Sequence, residues 1–228
     1  MKNYFPALTL AATLALVAAT LRAPRNTGDY ATAEFGQLPV LVNGRLKPLD
    51  TVARTSLLML QGRQRVVAPN GEGMTPVEWL LDTLYRPHVA DRYAVFEITH
   101  PDLLALLNLT AENGAGNKRF SAEQFAGRLG ELDRQAKLAD DTDRAVRTAF
   151  QRAVIQLRDS VMLHQRLQGS MVAFGNADFL DRLAQLESRA ALDTQQTQEL
   201  GRMCATMDSF SYFRPIPPAS GAAATGWR

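Results

Sequence analysis

Hydrophobic positions along the chain fall into three patterns, and each predicts a different kind of element. The first is a nearly unbroken apolar run from Tyr4 to Leu21, preceded by Lys2 and interrupted only by Pro6 and three threonines. Its 18 residues fall just inside the roughly 17 to 25 needed to cross a hydrocarbon layer. Its Ala-rich centre and the small residues Val17-Ala18-Ala19 suit a cleavable leader equally well. Residues 1–25 are therefore read as a signal anchor or signal peptide. Arg22 and Arg25 favour the anchor, because they make an odd start for a secreted chain. Either reading places the bulk of the protein in the periplasm, held at the cytoplasmic membrane if the segment stays. The polar, small-residue stretch Asn26 to Leu38 then serves as a tether.

The second pattern is a short apolar run around a turn. Leu38-Pro39-Val40-Leu41-Val42 leads into Asn43-Gly44, and Asn-Gly is the pair that best accepts the two positive φ angles of a type I′ hairpin. Pro48 cannot donate a ladder hydrogen bond. Asp50 or Thr51 is expected to cap a helix from Val52 to Leu60, which Gly62 closes in the left-handed conformation. Tyr93 to Ile98, rich in aromatic and β-branched residues, is expected to pair with this hairpin.

The third pattern is helical. Thr75-Pro76-Val77-Glu78 reads as a capping box with proline at the first helical position, opening an apolar helix that must stop before Pro87. Arg63 to Met74, with Pro69-Asn70-Gly71 and Gly73, reads as a loop. Further helices are predicted over Leu103–Leu109, from the capping box Ser121-Ala122-Glu123-Gln124 to Leu138, over Phe179–Leu192 and over Gln195–Met207. The longest periodic segment, Thr142 to Leu167, places Val146, Phe150, Val154, Leu157, Val161 and Leu167 mostly at three- and four-residue steps. Phe210 to Arg228, with Pro215-Ile216-Pro217-Pro218 and Trp227, holds too many breakers for regular structure and reads as an extended C-terminal arm. The fold class that follows is α+β, mainly α: a small N-terminal β-hairpin or sheet with a helical bundle that includes one long amphipathic helix. The globular, extracytoplasmic domain spans residues 26–209 and the proline-rich arm residues 210–228.

Composition changes this picture little. A hydrophobic fraction of 46% with 21% charged residues is ordinary for a globular chain. A net charge of only +2 gives no global field toward nucleic acid. Its distribution says more. Arg45, Lys47, Arg54, Arg63 and Arg65 make the early domain basic, and no helix end accounts for them. Glu131, Asp133, Asp140, Asp141 and Asp143 make the middle acidic, as carboxylates in the first turn of a helix would be. The basic residues therefore suggest an anionic partner: lipid headgroups beside the anchor, or carboxylates of a ligand.

Chemistry is sparse. The chain has no nucleophile elbow, phosphate-binding glycine loop, paired-cysteine zinc pattern or zinc-protease helix. His88, His100 and His164 lie more than ten residues apart, without a second ligand at metal spacing. His88 reads as a loop residue and His100 as a turn or cap residue. His164, three positions after Val161 and so near the apolar face of the long helix, reads as a hydrogen-bonded, partly buried ring. Cys204 is the single cysteine, so no internal disulfide forms. Its helical neighbours Met203 and Met207 make it a small buried hydrophobe. No residue set suggests an enzyme, and no metal or cofactor of its own is expected.

The segment Phe35-Gly36-Gln37-Leu38-Pro39-Val40, continuing to Gly44-Arg45-Leu46-Lys47-Pro48-Leu49-Asp50-Thr51-Val52-Ala53-Arg54, resembles a stretch in bacterial membrane proteins of cytochrome c maturation of the system II type. There it sits in the extracytoplasmic domain that precedes a multi-span, haem-handling module. Pro215-Ile216-Pro217-Pro218 and Trp227 are similar to a proline-rich, tryptophan-containing stretch later in that domain. About 25 residues carry the likeness. The multi-span module, where the family's haem-handling histidines lie, has no counterpart in this sequence, so none of those roles passes to His88, His100 or His164. The resemblance implies a detached domain, or a fragment of a longer reading frame. Such a domain would assist cytochrome c assembly without catalysis, docking on an integral haem-delivery subunit or on apocytochrome c, with haem reached only through a partner. Arg45, Lys47, Asp50 and Arg54 would be the partner-binding residues. The alternative is a stand-alone periplasmic envelope protein, unrelated to cytochromes, that binds a ligand or protein in a pocket between the hairpin and the helices.

Overall fold

The computed structural model of the protein describes residues 5–20, 31–171, 185 and 193–215. The helix expected over Phe179–Leu192 lies outside these residues except at Gln185, and Trp227 lies outside them entirely. The described chain is mainly helical with three small antiparallel sheets, the α+β class read from the sequence. Helix α1 (Phe5–Thr20) carries the apolar run with Leu8, Leu10, Leu14 and Leu16 exposed. Its 16 residues make about 24 Å of helix. Among the described residues no helix is long and apolar enough to cross a membrane.

A short helix α2 (Thr32–Gln37) leads into β1 (Pro39–Val42), the Asn43-Gly44 turn and β2 (Arg45–Pro48). Asn43 and Gly44 both take positive φ, 49° and 74°, as a two-residue type I′ hairpin requires. Helix α3 (Leu49–Gln61) follows without a gap. It begins earlier than expected: Pro48 is its N-cap residue and no side chain caps it. The fixed φ of proline supplies the extended entry, and Asp50 is free to sit inside the first turn instead. Gly62 takes the left-handed conformation at the far end, with φ of 69°.

Three predicted segments differ in detail. Part of the stretch read as a loop pairs as β3 (Val66–Val67) and β4 (Gly73–Met74). Strand β5 (Phe96–Glu97) pairs not with the hairpin but with β6 (Arg119–Phe120). The hairpin's third strand is β7 (Arg214–Pro215), from the arm read as irregular, in the order β2-β1-β7. An edge strand is where a residue lacking N–H is tolerated, and the buried Phe213 ring anchors β7.

The body consists of α4 (Pro76–Tyr85), α5 (Pro87–Ala90), α6 (Pro101–Leu106), α7 (Ala122–Phe125), α8 (Leu129–Asp140), α9 (Ala149–Gln168) and α10 (Thr194–Phe210). The Thr75 and Ser121 capping boxes both form. The helix expected from Ser121 to Leu138 is broken by a 3₁₀ turn at Ala126–Arg128. Gly127 and Gly130 weaken helical continuity there, and the break lets Phe125 and Leu132 both reach the core. The long helix starts at Ala149 rather than Thr142. A further capping box stops it there, with Gln151 N–H donating to Thr148 Oγ1 at 3.2 Å and Thr148 N–H to Gln151 Oε1 at 2.9 Å. Of the acidic group, only Glu131 lies in a helix's first turn. Asp140 ends α8, and Asp141 and Asp143 lie in the turn beyond. Trp79, Phe96, Phe120, Phe125 and Leu157 fill the core that α4, β5, β6 and α9 enclose.

Candidate functional site

The hairpin decides where the four predicted partner-binding residues point. In the register Val42↔Arg45, Leu41↔Leu46 and Val40↔Lys47, directly opposed residues share a face. Val40 and Val42 are buried, so Arg45 and Lys47 start on the core side of the sheet. There Arg45 is exposed and Lys47 half-buried. Cations on this edge strand also keep it from pairing with another chain. The opposite face carries Leu41 and Leu46, 36% and 68% exposed. Among the described residues neither Arg45 nor Lys47 has an ion-pair partner.

Asp50 and Arg54 behave differently. One turn apart on α3, they pair with each other, Arg54 Nε donating to Asp50 Oδ2 at 2.7 Å, and Arg54 also reaches Gln64 Oε1 at 3.4 Å. The hydrogen bond from Arg54 to Asp50 outweighs partial burial and raises the arginine's hold on its proton. Both groups remain accessible, so this exposed pair orients Arg54 more than it stabilises the fold. Arg63 sits apart, beside Arg119 and Arg65 with Glu97 nearby. Burial, then the repulsion of Arg119, lowers its pKa. The structure thus brings Arg45, Lys47, Asp50 and Arg54 onto one continuous hairpin–helix unit, with two free charges and one internally matched pair.

The histidines do not converge. His88 is exposed on α5. His100 is the N-cap residue of α6 and stacks edge-on against Phe150 at 5.7 Å. His164 is 2% exposed. Its Nε2 donates to Asp91 Oδ1 at 2.9 Å, Gln168 Nε2 donates to the same oxygen at 2.8 Å, and Phe96 meets the ring edge-on at 5.4 Å. Because a carboxylate only accepts, the proton is assigned to Nε2. Its Nδ1 is buried without a partner. Burial pushes the Asp91 carboxyl up, but the hydrogen bonds from His164 and Gln168 outweigh it and hold it below the ordinary range. This cluster ties the end of α9 to the turn after α5. Among the described residues no group of three or more histidine, cysteine, aspartate or glutamate side chains could hold a metal. Cys204 lies on α10, and its side chain lies outside the described residues.

A second feature escaped the sequence reading. A groove of about 930 Å³ runs along the outer side of α9, and Asn43, at the tip of the hairpin turn, lines it. Arg144, Arg147, Arg152, Arg158 and Arg166 surround it, against Asp140 and Asp159. Its signal in the sequence is arginines at three- to eight-residue spacing, masked by the apolar stripe of the same helix.

No protein-family model matches this chain, and no curated protein matches it.

Proposed function

We propose that the chain is a non-catalytic, membrane-anchored periplasmic domain that assists cytochrome c assembly by docking on an integral haem-delivery subunit or on apocytochrome c. The observation that carries the docking half is the pair of charges at Arg45 and Lys47, held on a two-residue turn that feeds directly into a helix and left without ion-pair partners among the described residues. A rigid mount loses little conformational entropy on binding. Arginine at such a corner grips carboxylates through two parallel hydrogen bonds, so the acidic side chains of a partner or the propionates of its haem suit it. The cytochrome half rests on the resemblance of the block from Leu38 to Arg54. Co-purification from detergent-solubilised membranes tests the reading. The wild type brings down an integral membrane protein, and the variant with Arg45→Ala, Lys47→Ala and Arg54→Ala together does not. A complex that survives all three changes rules these side chains out.

A second reading, a stand-alone periplasmic envelope protein that binds a ligand or another protein, draws support from the groove between the hairpin tip, α3 and α9. Normal covalent haem on the c-type cytochromes of a strain lacking the chain would favour it.

A further inference from the structure

The groove along α9 has a charge balance that the fold itself does not explain. Arg147 and Arg158 both hold Asp140, and Arg158 also holds Asp159 at 3.1 Å, so the two carboxylates are already taken. Arg144, Arg152 and Arg166 have no carboxylate partner among the described residues. Arg152 donates to the Arg147 carbonyl at 2.5 Å, and Arg166 donates to the Ser211 carbonyl at 3.1 Å while lying over the Tyr212 ring. Three uncompensated cations therefore line one groove in a chain whose whole net charge is +2. Helix stability accounts for only one of them, Arg166 in the last turn of α9, where a cation meets the negative end of the helix. Arg152 stands in the first turn of α9, which contains no acidic residue, and a cation at that positive end is unfavourable by about 0.3 to 1 kcal/mol.

The floor is apolar and adaptable. Met59 and Met162, each about half exposed, lie there with Ile155 and Leu163, and exposed methionines re-pack readily around different partners. From Arg152 to Arg166 the stripe runs about 21 Å along the helix, far longer than a single small anion.

We propose that this groove receives an acidic amphipathic helix of a protein partner, about four turns long, with its apolar side chains on Met59 and Met162 and its carboxylates on Arg144, Arg152 and Arg166. Groove and ligand then follow the helix-in-groove mode, in which apolar anchors recur at three- and four-residue steps. Nucleic acid fits less well, since Tyr212 is the only aromatic ring among the described lining residues and bases need stacking platforms. The inference goes beyond the hairpin reading because it uses different side chains.

The test uses the full chain in a neutral detergent and a fluorescent 14-residue peptide with leucine on one helical face and glutamate on the other, measured by fluorescence anisotropy. The same peptide with lysine replacing glutamate is the control. The glutamate peptide binds, it weakens about tenfold or more as salt rises toward 1 M, where the screening length shrinks to about 3 Å, and the lysine peptide does not bind. Arg144→Glu with Arg152→Glu abolishes binding, whereas the hairpin triple-alanine variant retains it, so failure here is distinguishable from failure of the hairpin reading. A photoreactive leucine analogue in the peptide cross-links to Met59 or Met162 of the wild-type chain, which keeps the test independent of whether the charge-reversed variant folds. Equal binding of both peptides, binding that survives the charge reversal, cross-links elsewhere, or binding only to phosphatidylglycerol vesicles would each overturn the proposal.

Discussion

At the scale of single residues, two polar clusters, each with one end buried, hold the helices in place, and each makes a distinct prediction. Asp82 is 3% exposed and accepts hydrogen bonds from Tyr93 Oη and from Arg86 Nε, the latter at 2.9 Å. Burial first, and then the Asp82 hydrogen bond, hold the Tyr93 hydroxyl protonated well above its ordinary range. Replacing Asp82 by alanine strands that hydroxyl in the interior, so Asp82→Ala is expected to lose about 3 kcal/mol in urea unfolding. A loss under about 0.5 kcal/mol, the size of an ordinary surface change, would contradict it. Asp91 gives a pH dependence. Because its folded carboxyl titrates below its unfolded value of about 3.9, its contribution is fully present above that value and is lost as pH falls through the lower folded one. Thermal melts from pH 6 down to pH 2 are therefore expected to fall less steeply for Asp91→Asn than for the wild type, and parallel curves would contradict this.

At the scale of elements, what was legible in the sequence was local. The Asn43-Gly44 turn, the Gly62 terminus and the capping boxes at Thr75 and Ser121 all depend on neighbours within four residues, and each stands where the pattern placed it. The Thr148-Ala149-Phe150-Gln151 box was equally local and could have set the start of α9, had its apolar stripe not been extended back to Val146. Strand pairing was not legible. Nothing near Phe96 specifies Phe120 as its partner, and nothing in a proline-rich arm announces that Arg214 will lie beside Leu41. These choices are made by burial across the whole fold. Of the candidate site, the sequence revealed the turn and its charges, but not that register sends Arg45 and Lys47 to one face and Leu46 to the other. The hairpin's own geometry is testable. Gly44 has φ of +74° and open space around a would-be Cβ, so Gly44→Ala incurs only the left-handed backbone penalty. The expected loss is about 1 to 2 kcal/mol by chemical denaturation. A neutral outcome would mean that the turn relaxes to another type and that the corner is not rigid.

At the scale of the whole molecule, a mainly helical body presents two cationic surfaces that meet at Asn43: the rim of a short sheet and the outer side of α9. Both are built on regular elements rather than long loops, and the α9 surface also offers exposed apolar side chains, Met59 and Met162, beside its charge. That combination suits a protein that holds an acidic partner in place. The most direct measurement of whether docking through these surfaces would serve cytochrome c assembly is the covalent haem on c-type cytochromes in a strain lacking the chain, complemented by wild type or by a variant carrying Arg45→Glu and Lys47→Glu. Covalent haem is expected to fall in the deletion strain, to return with wild type, and to stay low with the charge-reversed variant at equal protein level. Undiminished covalent haem in the deletion strain would contradict it.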